Sequence, residues 1–211
     1  MHTDQYTADI ICRSMGLLGF FEESWSTSAT AVLRLLLKPS FDPEVCITLS
    51  SFGSSANLCV IALSEMLWRQ PGPCRLAEHR EEVVVDPNIL NDMVTNILAA
   101  HAESCAQGRF VCLDGMGSEC CYVRAGHVLR FVQHVSRPSI VQLVVRVIDL
   151  AWQSCHDPFV KNALVRCAKY VDMDYALETE PVAPRVTRLL VLGSPDDRAE
   201  YLDLIRRRGR G

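Results

Sequence analysis

Residues 118–154 read SECCYVRAGHVLRFVQHVSRPSIVQLVVRVIDLAWQS, and this stretch decides the fold. Two β-rich runs, Ser118–Arg124 and His127–Val135, flank Ala125-Gly126. A two-residue connection ending in glycine between such runs is the signature of a β-hairpin. The register follows: Arg124 opposes His127, Tyr122 opposes Leu129 and Cys120 opposes Phe131. Glu119, Cys121 and Val123 then share a face with Val128, Arg130 and Val132. Glu119 and Arg130 stand as a near-diagonal cross-strand pair, which reads as part of a charged outer sheet face. Ser136-Arg137-Pro138 stops the second strand. Beyond it the period changes from two to 3.6. Ile140, Leu143, Val144, Val147, Ile148, Ala151 and Trp152 lie on one face of a helix over 139–154, with Arg146, Asp149 and Gln153 opposite.

The same order recurs upstream. Leu33, Leu35 and Leu37 alternate within 30–37, and Lys38-Pro39-Ser40-Phe41-Asp42-Pro43 turns the chain. Glu44–Ser50 follows as a half-buried strand, with Val45, Ile47 and Leu49 inward and Glu44, Cys46, Thr48 and Ser50 outward. Ser51-Phe52-Gly53-Ser54-Ser55 is a second turn. Leu58–Leu63 is apolar on both faces and belongs inside a sheet. Residues 69–80 read as a loop and Glu81–Val85 as a short strand. Asp86-Pro87 starts a helix striped by Ile89, Leu90, Met93, Val94, Ile97 and Leu98. Arg109–Asp114, through Gly115-Met116-Gly117, adds a third strand to the second meander. The fold class is therefore α+β: an antiparallel sheet from two meanders, with both strong helices on one face. Residues 3–18 form a looser helix ended by Gly16 and Gly19.

The C-terminal third reads as helical. Asp157-Pro158 repeats the cap signal, and Phe159, Val160, Ala163, Leu164 and Cys167 repeat the stripe. Further helices are expected over 184–192 and from Ser194 to about Arg208. These divisions place an α+β domain at 1–155 and a helical extension at 156–211 packed on it, or one domain over 1–211.

The 211 residues carry 21 Lys+Arg against 25 Asp+Glu, a net charge of −4. A broad nucleic-acid surface is not expected from that balance, and the arginines of 206–210 suit a helix C-terminus. The N-terminus has acids at Asp4 and Asp9 and Arg13 within its apolar stretch, unlike a secretory signal. No run approaches the length of a membrane span. The chain is expected to be cytoplasmic, without membrane contact. Its 10 cysteines form no CxxC, so reduced thiols and neither metal nor cofactor are expected.

Motifs for catalysis are lacking: no P-loop, HExxH, GxGxxG or nucleophile elbow. Cys155-His156 are adjacent on one segment and do not face each other. Cys121 with His127 is the other Cys–His combination considered. His127 and His134 fall on opposite strand faces, as do Cys120 and Cys121. Asp114-Gly115 reads as turn chemistry. No catalytic residue is assigned. The candidate binding residues are Phe41 and Asp42 in the first turn, Phe52 in the second, and the acids Asp114 and Glu119. Phe52 has little local reason to sit between Ser51 and Gly53, unless it folds back as a lid on the sheet.

Pro39-Ser40-Phe41-Asp42-Pro43-Glu44-Val45, Leu113-Asp114-Gly115-Met116 and Ser136-Arg137-Pro138 together give the chain a resemblance. Over about residues 30–155 it resembles small uncharacterised bacterial cytosolic proteins of immunity or accessory type. It departs from them at Glu119-Cys120-Cys121, where a tryptophan is the pattern. The resemblance implies a non-catalytic protein-binding module, such as an immunity protein that neutralises a basic toxin. Two rivals stand beside it: a hydrolase or transferase with dispersed catalytic residues, and a structural subunit of a larger assembly.

Overall fold

Ala31–Pro39 (β1) is the strand around which the sheet is built. A computed structural model describes residues 3–20, 29–66, 75–76, 78–106, 115–173, 175 and 188–189. Around β1 lie Val45–Ser51 (β2), Ala56–Leu63 (β3), Glu78–Val85 (β5), Met116–Arg124 (β6) and His127–His134 (β7), and Arg75–Leu76 (β4) precedes β5. The six long strands run in the order β5-β3-β2-β1-β6-β7, antiparallel throughout. The first meander and the second hairpin thus become one sheet through the β1–β6 ladder, where Leu33 meets Tyr122 and Leu35 meets Cys120.

The hairpin register is the one its turn dictates: Arg124 opposes His127, Tyr122 opposes Leu129 and Cys120 opposes Phe131. Ala125 and Gly126 both have positive φ, 48° and 79°, which matches the right-handed twist of the flanking strands. One neighbour differs from the expected meander: the side of β6 away from β7 is taken by β1. Residues 109–114 themselves lie outside the described residues, and the ladder neighbours of Cys120 are Leu35 and Phe131.

Three helices cover one face: Ile89–Ala106 (α2), Pro138–Ser154 (α3) and Pro158–Ala168 (α4). Their core is formed by Leu90, Met93 and Ile97 of α2, Leu143, Val144 and Val147 of α3, and Val160 and Leu164 of α4, against Leu33, Leu35, Ile47, Leu58, Val60 and Tyr122 of the sheet. Helix α4, beyond residue 155, fills the same core as α2 and α3. Asp157 caps α4 by accepting from the Val160 N–H at 2.9 Å. The stripe on α2 is centred on Leu90, Met93, Ile97 and Ala100, which leaves Leu98 51% exposed at its margin.

The opposite face is covered by Thr3–Ser14 (α1), whose chain turns away at Gly16 with φ 67°. Ile11, Cys12, Met15 and Phe20 pack there on Leu36, Cys46, Ile61, Leu63 and Cys121. That cover corrects the reading of β2 as half-buried. Glu44, Cys46 and Thr48 were expected to face outward, yet all three are buried. Two smaller corrections concern local assignments. Part of 69–80 is strand, because β5 begins at Glu78 and β4 precedes it. Arg188–Leu189 (β8) pairs with β4, within the span expected as a helix over 184–192. The helix expected from Ser194 lies outside the described residues. No described helix is long and apolar enough to cross a membrane.

Candidate functional site

The two candidate aromatics are exposed, at opposite ends of β2. Phe41 is 62% exposed and Phe52 42%. A seven-residue strand separates them, roughly 20 Å of chain. Phe52 stands in a tight turn closed by its own N–H to the Ser55 carbonyl at 2.8 Å, with Gly53 at φ 83°. It does not fold back as a lid over the sheet.

The Phe41 turn is built differently. Pro39 ends β1, and the next peptide is fastened at once: Ser40 N–H donates to the Gly115 carbonyl at 2.8 Å, and Gly115 N–H donates to Ser40 Oγ at 3.1 Å. A single 3-10 turn after α4, Lys169–Val171, supplies Tyr170. Its hydroxyl accepts from the Phe41 N–H at 3.2 Å and donates to Asp42 Oδ2 at 3.1 Å. Burial, followed by the carboxylate it donates to, pushes the Tyr170 phenol above its usual value. Arg166 of α4 adds Nε at 3.9 Å from Asp42 Oδ1. Asp42 is therefore spent on holding the turn. The ring of Phe41 projects from a backbone that four hydrogen bonds immobilise.

The acids behave otherwise than expected. Asp114 lies outside the described residues. Glu119 is fully buried on the α1 face and forms an ion pair with Lys38. The diagonal relation to Arg130 is as read, since Glu119 opposes Val132 and Arg130 opposes Cys121. The face is nonetheless not an outer one, because α1 closes over it. An exposed, steering role for Glu119 is thereby corrected. Reversing its charge would bury a second cation beside Lys38 and damage the fold, rather than slow an encounter.

Around Glu119 the α1 face is unusually polar. Arg34 is 4% exposed, opposes Thr48 and Cys121, and sends Nη1 to the Leu18 carbonyl at 3.1 Å. Glu44 is also buried. Burial pushes the Cys12 thiol well up, and its hydrogen bond with Cys46 adds to that rise. Charged groups at such positions are satisfied internally, which ties α1 and the loop after it to the sheet.

The Cys–His combinations considered from sequence do not form. Cys121 faces α1, whereas His127 opposes Arg124 at the hairpin end. Cys155 is buried whereas His156 is exposed, its backbone N–H donating to Glu81 Oε1 at 2.7 Å. A pair that was missed does exist. On α2, Cys105 Sγ lies 3.8 Å from Nε2 and 4.0 Å from Nδ1 of His101. Its signal was in the sequence: HAESC places His and Cys four apart, on one side of a helix. Among the described residues, no group of three His, Cys, Asp or Glu side chains is gathered to hold a metal ion.

The described residues thus place one exposed aromatic on a hydrogen-bonded turn before β2 and a second on the turn after it. In comparisons with known proteins, no family model matches the chain, and no curated protein or solved structure shows significant similarity to it.

Proposed function

We propose that this chain is a cytosolic protein-binding module that docks its partner on the end of the sheet carrying the Phe41 turn. One observation carries the reading: the large apolar ring of Phe41 is 62% exposed on a turn held by Ser40, Gly115, Tyr170 and Asp42. An exposed aromatic costs solvation in the free protein. When its backbone is already ordered, little conformational entropy is lost on docking. The narrower form of the proposal is an immunity-type protein that masks a basic toxin. The net charge of −4 supports it by favouring encounter with a basic surface.

The experiment is co-purification from the native host, followed by binding measurements with variants. A single stoichiometric partner is expected. Phe41→Ala should weaken it by about 2 kcal/mol, some thirtyfold in Kd, as for a central aromatic anchor. Phe52→Ala should leave it within a factor of about two, because that turn is at the far end. Equal binding by wild type and Phe41→Ala would remove this turn from the interface.

A further inference from the structure

Of the eight described cysteines, Cys105 is the exposed one. It stands in the last turn of α2, 3.8 Å from Nε2 of His101. That turn is fastened on three sides. Ser104 Oγ donates to the His101 carbonyl at 3.0 Å, Gln133 Nε2 of β7 donates to the Ser104 carbonyl at 3.4 Å, and Glu103 Oε2 accepts the Ser139 N–H of α3 at 2.9 Å. The two side chains are thus four residues apart on a helix end tied to β7 and α3, with the sulfur 3.8 Å from Nε2 and 4.0 Å from Nδ1. The described cysteines elsewhere are enclosed: Cys12, Cys46, Cys120, Cys121, Cys155 and Cys167 are buried and Cys59 is half-buried.

We propose that Cys105 and His101 form a thiol-modification site that takes low-molecular-weight disulfides. In the step, the Cys105 S–H proton passes to a ring nitrogen of His101. The sulfur attacks one sulfur of the disulfide, one S–S bond forms and the original S–S bond breaks. The leaving thiolate takes the proton back from the imidazolium. The products are a mixed disulfide on Cys105 and one free thiol, and no other oxidant is consumed. A thiol becomes nucleophilic by losing its proton, so a base at this distance acts on the reacting atom itself.

The site is tested with oxidised glutathione on the folded, full-length chain, with each cysteine's occupancy followed by peptide mapping. Cys105 should be modified at least about tenfold faster than any of the other seven described cysteines. His101→Ala should slow Cys105 about tenfold. Free imidazole in solution should restore much of that loss and leave the wild-type rate unchanged, a response that a merely structural role for His101 would not give. Circular dichroism confirms that the variant is folded, and His101→Gln repeats the measurement with a side chain of similar length. Modification of Cys105 no faster than of the buried thiols would overturn the site. An unchanged rate in both variants, or no rescue by imidazole, would overturn the role of His101.

Discussion

The two faces of the sheet are closed by different means. On one side three helices meet the odd-numbered residues of β1, and the contact is apolar nearly throughout: Leu33, Leu35 and Leu37 against Ile97, Val147 and Leu164. On the other, among the described residues, a single helix covers the even-numbered residues, and Arg34 and Lys38 stand among them, Lys38 paired with Glu119. The first face is held by area removed from water. The second is held by a smaller apolar cluster in which charges must satisfy one another. A large core therefore needs only pattern, whereas a thin one with buried charge depends on particular partners.

The sharpest way to break the first face is to place a charge in it. Ile97 and Val147 are buried on the facing stripes of α2 and α3. Ile97→Asp or Val147→Asp should cost about 4 kcal/mol or more and unfold much of the population at 37 °C, because the carboxylate has no partner there. Leu98→Asp, one residue along, should cost no more than about 0.5 kcal/mol, since Leu98 is 51% exposed. Thermal melts of the three variants check the contrast, and a Leu98 variant as damaged as the Ile97 one would displace the stripe by a residue.

The second face should break by loss of a partner rather than loss of area. Glu119→Ala leaves the Lys38 ammonium without its buried carboxylate, at a cost of about 3 kcal/mol. Replacing both ends with apolar residues of similar size, Lys38→Met with Glu119→Leu, should recover most of that loss, because the pair's desolvation penalty disappears with it. Urea melts of the single and double variants decide the matter. A single variant within about 0.5 kcal/mol of wild type would show that the pair contributes nothing to closing this face.

Which parts could be read from sequence follows the same division. The β6–β7 register came from Ala125-Gly126, and α3 and α4 from stripes behind Pro138 and Asp157-Pro158, all local signals. The β1–β6 ladder joins residues about 85 positions apart, and no local pattern announces it, so the second meander was given a strand of its own. The alternation along β2 was real, but whether its polar side meets water depends on α1, about thirty residues upstream. Glu119 was misplaced for that reason: a carboxylate on a strand looks solvated until something covers it. Phe41 and Phe52 were legible as aromatics within turn chemistry, whereas the grip of Tyr170 on Asp42 spans 128 residues. The His101–Cys105 contact is legible from its i, i+4 spacing alone.

The smallest effect in the ordinary working range concerns the thiols, and it too distinguishes the faces. On the three-helix side, burial and then the nearby Glu81 carboxylate push Cys155 up to about 12. On the α1 side, Cys59 is half-buried, and burial is the first cause of its rise to about 11. In the unfolded chain both would titrate near about 8.5. A thiol whose folded value is raised contributes stability that is fully present below the unfolded value. That stability is lost as pH rises toward the folded value, because the unfolded state releases the proton first. Denaturant midpoints should therefore be flat with respect to these groups below about pH 8 and fall steadily above about pH 9. Cys59→Ser should flatten the fall between about pH 9 and 11, whereas Cys155→Ala should flatten it further into the alkaline range. Urea melts at fixed ionic strength from pH 7 to 11, under reducing conditions, read this slope. A midpoint that does not move between pH 8 and 11 would mean that both thiols ionise in the folded protein as they do in water.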